Sequence, residues 1–303
     1  MNDNTPINAG VVTGDIIDCP RDHEYADMLS IESNIDDSNR LIKAMGNHEM
    51  LSSNMTPTLL YAKMGMNTNT GKLYYYKDYV SQKIRLIVLN QFDVVSNDTM
   101  VNGGVNHFTM EQINWFIDTL NDATTNGYAV IVAYHSCEAV GFPKWNNKGF
   151  CQDVNYTRSS EIISDSVIED IINAWQTSGT LEKTYTYTDI DTVLNVNVSF
   201  TKSGLFVCYL CGHEHVDYIG YSQKYPTQLI CMVQGAVVDS NSRSDEVAHW
   251  QSRYDTPRVS NTSTMDSINV YGIDVKNRVF KVAKIGSTLT DKFVPRSFAT
   301  FAF

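Results

Sequence analysis

Four short stretches of this chain carry side chains that hard and borderline divalent metals prefer: Gly14-Asp15-Ile16-Ile17-Asp18, Gly46-Asn47-His48-Glu49, Tyr134-His135-Ser136 and Gly212-His213-Glu214-His215. They offer carboxylate, amide and imidazole groups. Taken singly, each is ordinary, because Gly-Asp and Gly-Asn start turns and a histidine after a strand is commonly a satisfied polar residue. Together they are not, since each follows a segment that reads as a strand, and open α/β sheets collect ligands at the carboxyl ends of their strands. The chemistry such a set could run is hydrolysis of a phosphate ester. That anion, with its poor leaving group, requires charge neutralisation, an in-line hydroxide and a proton for the departing oxygen. Two metal ions about 3.5 to 4 Å apart supply the first two. Asp15 can bridge such ions, and an Asn47 carbonyl adds a ligand without further negative charge. His48 can give a proton or hydrogen bond near neutral pH, with Asp18 accepting from its other nitrogen and fixing the tautomer.

The elements that must position these residues alternate. Strands are expected over Gly10 to Thr13, Leu41 to Met45, Leu73 to Tyr76, Ile84 to Asn90, Tyr128 to Tyr134, Leu205 to Leu210, Val216 to Tyr221 and Leu229 to Val233. Helices are expected over Tyr25 to Ile31, Thr58 to Met64, Thr109 to Asn121 and Glu161 to Trp175. In the third, Thr109 and Gln112 form a capping box and Ile113, Phe116, Ile117 and Leu120 the apolar stripe. From Ser267 the pattern alternates, turns at Lys276-Asn277 and returns to Ile285 as a hairpin. Strand-helix alternation followed by antiparallel strands implies an α/β fold with two sheets packed face to face and helices outside. The chain reads as a single domain over residues 1-303, with surface insertions near 141-158 and 179-203, the second containing a hairpin. Trp145, Phe142, Phe150 and Tyr156 in the first insertion are candidate substrate contacts.

Composition narrows the partners. A formal net charge of -11 without Lys/Arg runs argues against a broad nucleic-acid or anionic-membrane surface. The polar opening is no signal peptide, no apolar run reaches the roughly 18 residues of a membrane span, and the compartment stays open. Cys208 and Cys211, the only close pair, lie in an apolar run and are expected to be buried free thiols.

In order and spacing, the four stretches resemble the calcineurin-like metallophosphoesterase superfamily, whose motifs are Asp-x-His, Gly-Asp-x-x-Asp, Gly-Asn-His-Asp/Glu, a single strand-end His and Gly-His-x-His. The resemblance implies a four-layer α/β/β/α sandwich of two mixed sheets and a binuclear centre of divalent ions, manganese, iron, zinc or cobalt. It also implies a phosphorylated small molecule or phosphodiester as substrate. Residue by residue, Asp15 corresponds to the bridging carboxylate, Asn47, His135 and His213 to the other ligands of one metal, and His215 to a ligand of the second. His48 corresponds to the catalytic histidine and Asp18 to the carboxylate that orients it. Glu49 stands outside this ligand set, and its removal is expected to leave metal occupancy unchanged. The first motif, Asp-x-His, is absent from this sequence, so the sandwich is expected without its first strand and the chain is expected to be an N-terminally truncated form. Cys19 stands where the Ser/Thr protein phosphatases of the family have Arg, which places the chain nearer the heterogeneous esterase and nuclease branches. The rival reading is a non-catalytic metal-binding or structural module that retains the fold. A zincin-type peptidase fails on spacing, since His213-Glu214-His215 is not H-E-x-x-H on one helical face.

Overall fold

The computed structural model describes residues 7–35, 41–50, 55–93, 107–136, 161–187, 192–213, 218–222, 224–232, 267–286 and 298–303. In chain order its strands are β1 Gly10–Val12, β2 Leu41–Lys43, β3 Tyr75–Tyr79, β4 Ile84–Val88, β5 Ala129–Ser136, β6 Thr180–Tyr187, β7 Thr192–Ser199, β8 Leu205–Gly212, β9 Tyr218–Tyr221, β10 Leu229–Met232, β11 Ser267–Asp274, β12 Val279–Gly286 and β13 Phe298–Ala302. Its helices are α1 Asp22–Glu32, α2 Pro57–Lys63, α3 Met110–Asn126 and α4 Glu161–Gln176, with a 3₁₀ turn at His48–Met50. No helix among the described residues is long and apolar enough to cross a membrane.

Strands covered on both faces are mostly apolar, and Ile84–Val88 and Ala129–Ser136 are buried throughout, the one buried cation of β4, Arg85, being paired with Asp78. They lie inside a six-stranded sheet in the order β3-β4-β5-β8-β10-β9. β4, β5, β8 and β10 run parallel, and β3 and β9 close the two edges antiparallel. A bulge interrupts the β5–β8 register, Val130 facing Phe206 and Ile131 facing Cys208. The extra residue, Val207, explains why Val207 and Cys208 both pack on the same side. Cys208 and Cys211 are buried and free, as expected.

One face of this sheet packs against α3, α4 and the β6–β7 hairpin, joining Ile87, Val132 and Tyr209 to Phe116, Ile171, Trp175 and Leu194. α3 starts as half of the expected capping box, with Thr109 Oγ1 accepting the Gln112 N–H at 3.2 Å. The Gln112 amide turns instead to Asn90, accepting its N–H at 2.8 Å and donating to its carbonyl at 2.9 Å, which ties the helix to the end of β4. The hairpin is more than a surface excursion: Tyr185, Leu194, Val196 and Val198 are buried in the same core. Asp170 of α4 holds it, accepting from Lys183 Nζ at 2.6 Å and the Tyr185 hydroxyl at 2.7 Å, and from Tyr225 and Lys224 on the other side.

The opposite face is covered by two smaller sheets. The parallel pair β1–β2 contributes Ile42, and the antiparallel β11-β12-β13 sheet contributes Phe280 and Val282, to a core shared with Leu86, Ile131 and Leu210. Among the described residues these two small sheets are paired separately rather than as the single second sheet expected. α1 and α2 enclose a third, methionine-rich cluster in which Tyr25, Met28 and Leu60 meet Met45, Met50 and Met64 around the 3₁₀ turn. The 141-158 insertion, with its aromatic residues, lies outside the described residues.

Trp175 is fully buried and donates its indole N–H to Thr124 Oγ1 at 2.7 Å, joining α4 to α3. Trp175→Ala should cost about 3–5 kcal/mol, the scale of large aromatic truncations in cores, read as a lower urea midpoint with an unchanged denaturant slope.

Candidate metal centre

β1 and β2 run parallel and end side by side, so the loops that leave them, Gly14 to Asp18 and Gly46 to Met50, meet at one edge. Their approach is too close for side chains at the two glycines. A Cβ on Gly46 would lie 2.2 Å from Asp15 Oδ1, and one on Gly14, whose φ is +95°, would lie 2.5 Å from His135 Nδ1. Glu49 ties the loops together. It is 0% exposed, and its carboxylate accepts the N–H groups of Asp15 (3.1 Å), Ile16 (2.5 Å), Ile17 (3.2 Å) and Gly46 (2.6 Å). In return the His48 N–H donates to Asp15 Oδ1 at 3.0 Å, which leaves Oδ2 to face inward.

The other two candidates arrive from the six-stranded sheet. His135 belongs to β5 itself, which runs one residue beyond it, while His213 follows β8 with φ 68°. Asp15, with φ 52°, is likewise left-handed, so two of the site's residues hold a conformation that costs energy and persists only where neighbours enforce it. His135 Nε2 lies 3.1 Å from Asp15 Oδ2, 3.0 Å from Asn47 Oδ1 and 3.1 Å from His213 Nδ1. His213 Nδ1 lies 2.9 Å from Asn47 Oδ1. The structure therefore brings Asp15, Asn47, His135 and His213 together, and the ligand atoms of Asp15, His135 and His213 lie within 4.8 Å of one another.

The tautomer of His135 is set from behind. Its Nδ1 donates to the Thr13 carbonyl at 2.7 Å, so in the neutral ring Nε2 carries a lone pair aimed at the cluster. Gln91 holds the next residue, its amide donating to the Ser136 carbonyl at 2.8 Å and accepting the Ser136 N–H at 2.7 Å. Burial works against charge on Asp15, yet the hydrogen bond and charge of His135, with the His48 N–H, keep its carboxyl far below the usual range. Burial also works against a charged His135, and Asp15 outweighs it, raising the imidazole above its ordinary 6.5. Burial, reinforced by Asp15, pushes the Glu49 carboxyl up.

His48 lies beside the cluster, its Nε2 4.0 Å from Asp15 Oδ2 and its side chain 32% exposed. Its Nδ1 donates to the main-chain carbonyl of Asp18 at 2.6 Å; the Asp18 carboxylate is 3.8 Å away and 84% exposed. Glu24 of α1 fixes that carbonyl's peptide by accepting the N–H groups of Asp18 and Cys19, each at 2.9 Å. His215 lies outside the described residues. The supports that sequence reasoning missed are Glu49, Gln91, Glu24 and the Thr13 carbonyl. Only Glu49, inside a motif, carried a signal.

No family model matches the sequence, and neither does any curated protein. The fold has a solved counterpart in the crystal structure of a dimetal phosphatase from Danio rerio, with a TM-score of 0.53 over 97% of this chain and 83% of that chain, at 11% identity. At that identity the likeness is one of fold.

A cation held here would compete with a proton for His135 Nε2, so uptake at a pH where that ring is protonated should release protons. Divalent affinity should be full above the raised His135 pKa and fall as the pH drops through it; Asp15, ionised far lower, adds nothing in that window. Calorimetric titrations at several pH values in buffers of different ionisation enthalpy would show this, and Asn47→Ala or His135→Ala should abolish most of the uptake.

Proposed function

We propose that this chain is a metal-dependent phosphoesterase, a single domain of the calcineurin-like type that hydrolyses a phosphorylated small molecule or a phosphodiester. The observation that carries the reading is the cluster of four oxygen and nitrogen ligand atoms, each 2.9–3.1 Å from a neighbour in the set. An Asp oxygen, an Asn oxygen and two imidazole nitrogens gathered around His135 form a mixed O/N set that suits manganese, iron, zinc or cobalt. The fold shared with a dimetal phosphatase supports the same reading, as does the layering of helices, a large sheet and smaller sheets, which fits the four-layer sandwich.

In this reading Asp15, Asn47, His135 and His213 hold one divalent ion, and Asp15 with His215 contributes to a second. Bound there, the ions supply Lewis acidity and charge neutralisation to a phosphate ester. The protein's own groups do the rest. His48, half-exposed at the rim with Nδ1 committed to the Asp18 carbonyl, presents Nε2 to a leaving oxygen and gives it a proton or a hydrogen bond. Thr13 and Gln91 keep His135 from rotating, so the charge of Asp15 is met from a fixed direction. The net charge of -11 leaves no general attraction for polyanions, so recognition rests on the centre itself.

Activity should therefore depend on His48 and little on the Asp18 side chain. His48→Asn should lower turnover about 10² to 10⁴-fold, the range of general acid-base help, with metal content intact and the greatest loss on alkyl rather than nitrophenyl esters. Asp18→Ala should cost less than about fivefold, as befits a screened pair. Metal-loaded protein that cleaves neither ester class would make the chain a non-catalytic metal-binding module instead.

A further inference from the structure

We infer that Glu49 is a positioning residue that sets the cation affinity of the centre, through the four main-chain N–H groups it accepts from the two ligand-bearing loops. The inference rests on the metal-site reading above and reverses the sequence expectation that removing Glu49 leaves metal occupancy unchanged. Glu49 cannot act as a ligand, because a carboxylate has about four acceptor sites and the N–H groups of Ile16, Ile17, Asp15 and Gly46 take them. Three of these donors are successive, a concave arrangement of amides that demands an anion. With the anion gone, buried N–H groups would lack partners, at a cost large enough for the loop to refold around them. Asp15 would feel this first, since its left-handed φ of 52° has no local reason to persist. Asn47 would follow, because it lies between Gly46, which donates to Glu49, and Glu49 itself. The anchor is itself held, as the Tyr25 hydroxyl of α1 donates to the Glu49 carbonyl at 3.0 Å.

The test uses the full 303-residue chain, Mn²⁺ as probe, and three variants. Glu49→Gln keeps the shape but turns one oxygen into a donor facing N–H groups. It should weaken Mn²⁺ binding about 10 to 100-fold, the usual effect of losing a residue that orients a ligand, and speed amide hydrogen exchange at Asp15, Ile16 and Ile17. Glu49→Asp, which keeps the charge and shortens the reach, should fall between Glu49→Gln and wild type, and it decides the matter if Glu49→Gln does not fold. Asp170→Asn, which breaks an equally buried carboxylate network around Lys183 and Tyr185, should lower the unfolding midpoint yet leave Mn²⁺ affinity at the wild-type value. Wild-type affinity in both Glu49 variants, or an equal loss in Asp170→Asn, would overturn the inference. Absence of Mn²⁺ binding in the wild type would sink the phosphoesterase reading and with it the affinity role, whereas wild-type binding with unchanged affinity and unchanged amide protection in the Glu49 variants would refute the inference alone.

Discussion

The site depends on one contact, the buried His135 imidazole packed against a carboxylate, an amide oxygen and a second imidazole. His135 Nε2 lies at hydrogen-bond distance from Asp15 Oδ2, Asn47 Oδ1 and His213 Nδ1, and His213 Nδ1 from Asn47 Oδ1, and His135 is 1% exposed. In the bare protein Asp15 favours a proton on His135, which is why its pKa rises in spite of burial. The geometry also costs backbone strain at Asp15 and His213, whose φ values are positive. The rest of the architecture follows from having to maintain it.

Maintenance falls to two independent supports. The six-stranded sheet, covered on both faces, fixes where β5 and β8 end and so where His135 and His213 begin. Asp15 and Asn47 hang from short strands, three residues each, with less packing to hold them. There, hydrogen bonds take over from burial: Glu49 inside, the His48 N–H across, and two glycines that allow the loops to touch. Rigid strands place two of the four groups and a knot of amides places the other two.

This division also explains what could be read in the sequence. Strands and helices were legible because sheet burial on both faces and the amphipathic stripe of α3 leave periodic patterns, and most observed elements fall within a residue or two of expectation. β3 starts at Tyr75 rather than Leu73 because the Thr70 hydroxyl takes the Tyr74 carbonyl, a local bond that competes with the ladder. β13, Phe298–Ala302, was missed. The hairpin at Thr180–Ser199 read as surface because its outer face is polar; its inward Leu194, Val196 and Val198 show that the alternation marks a half-buried sheet. At the site, ligand types and their strand-end positions were legible. Their supports were not, because a carbonyl such as that of Thr13 has no residue type, and Gln91 has no motif.

His48 shows the consequence most sharply. The sequence offers Asp18 as its partner, and a carboxylate is the obvious chemical choice. In the fold that carboxylate points to solvent, where its field is screened, and the main-chain carbonyl of the same residue makes the bond. A carbonyl gives direction without adding charge, so it orients the His48 ring and nothing more. Its direction is fixed in turn by Glu24, which holds the Asp18 and Cys19 amides as Glu49 holds those of Asp15 to Ile17. Two glutamates from neighbouring elements thus fold one loop, the first serving the histidine and the second the carboxylate beside it. The chemistry of residues 15 to 18 is therefore carried as much by which amides are held, and from which side, as by the side chains those residues bear.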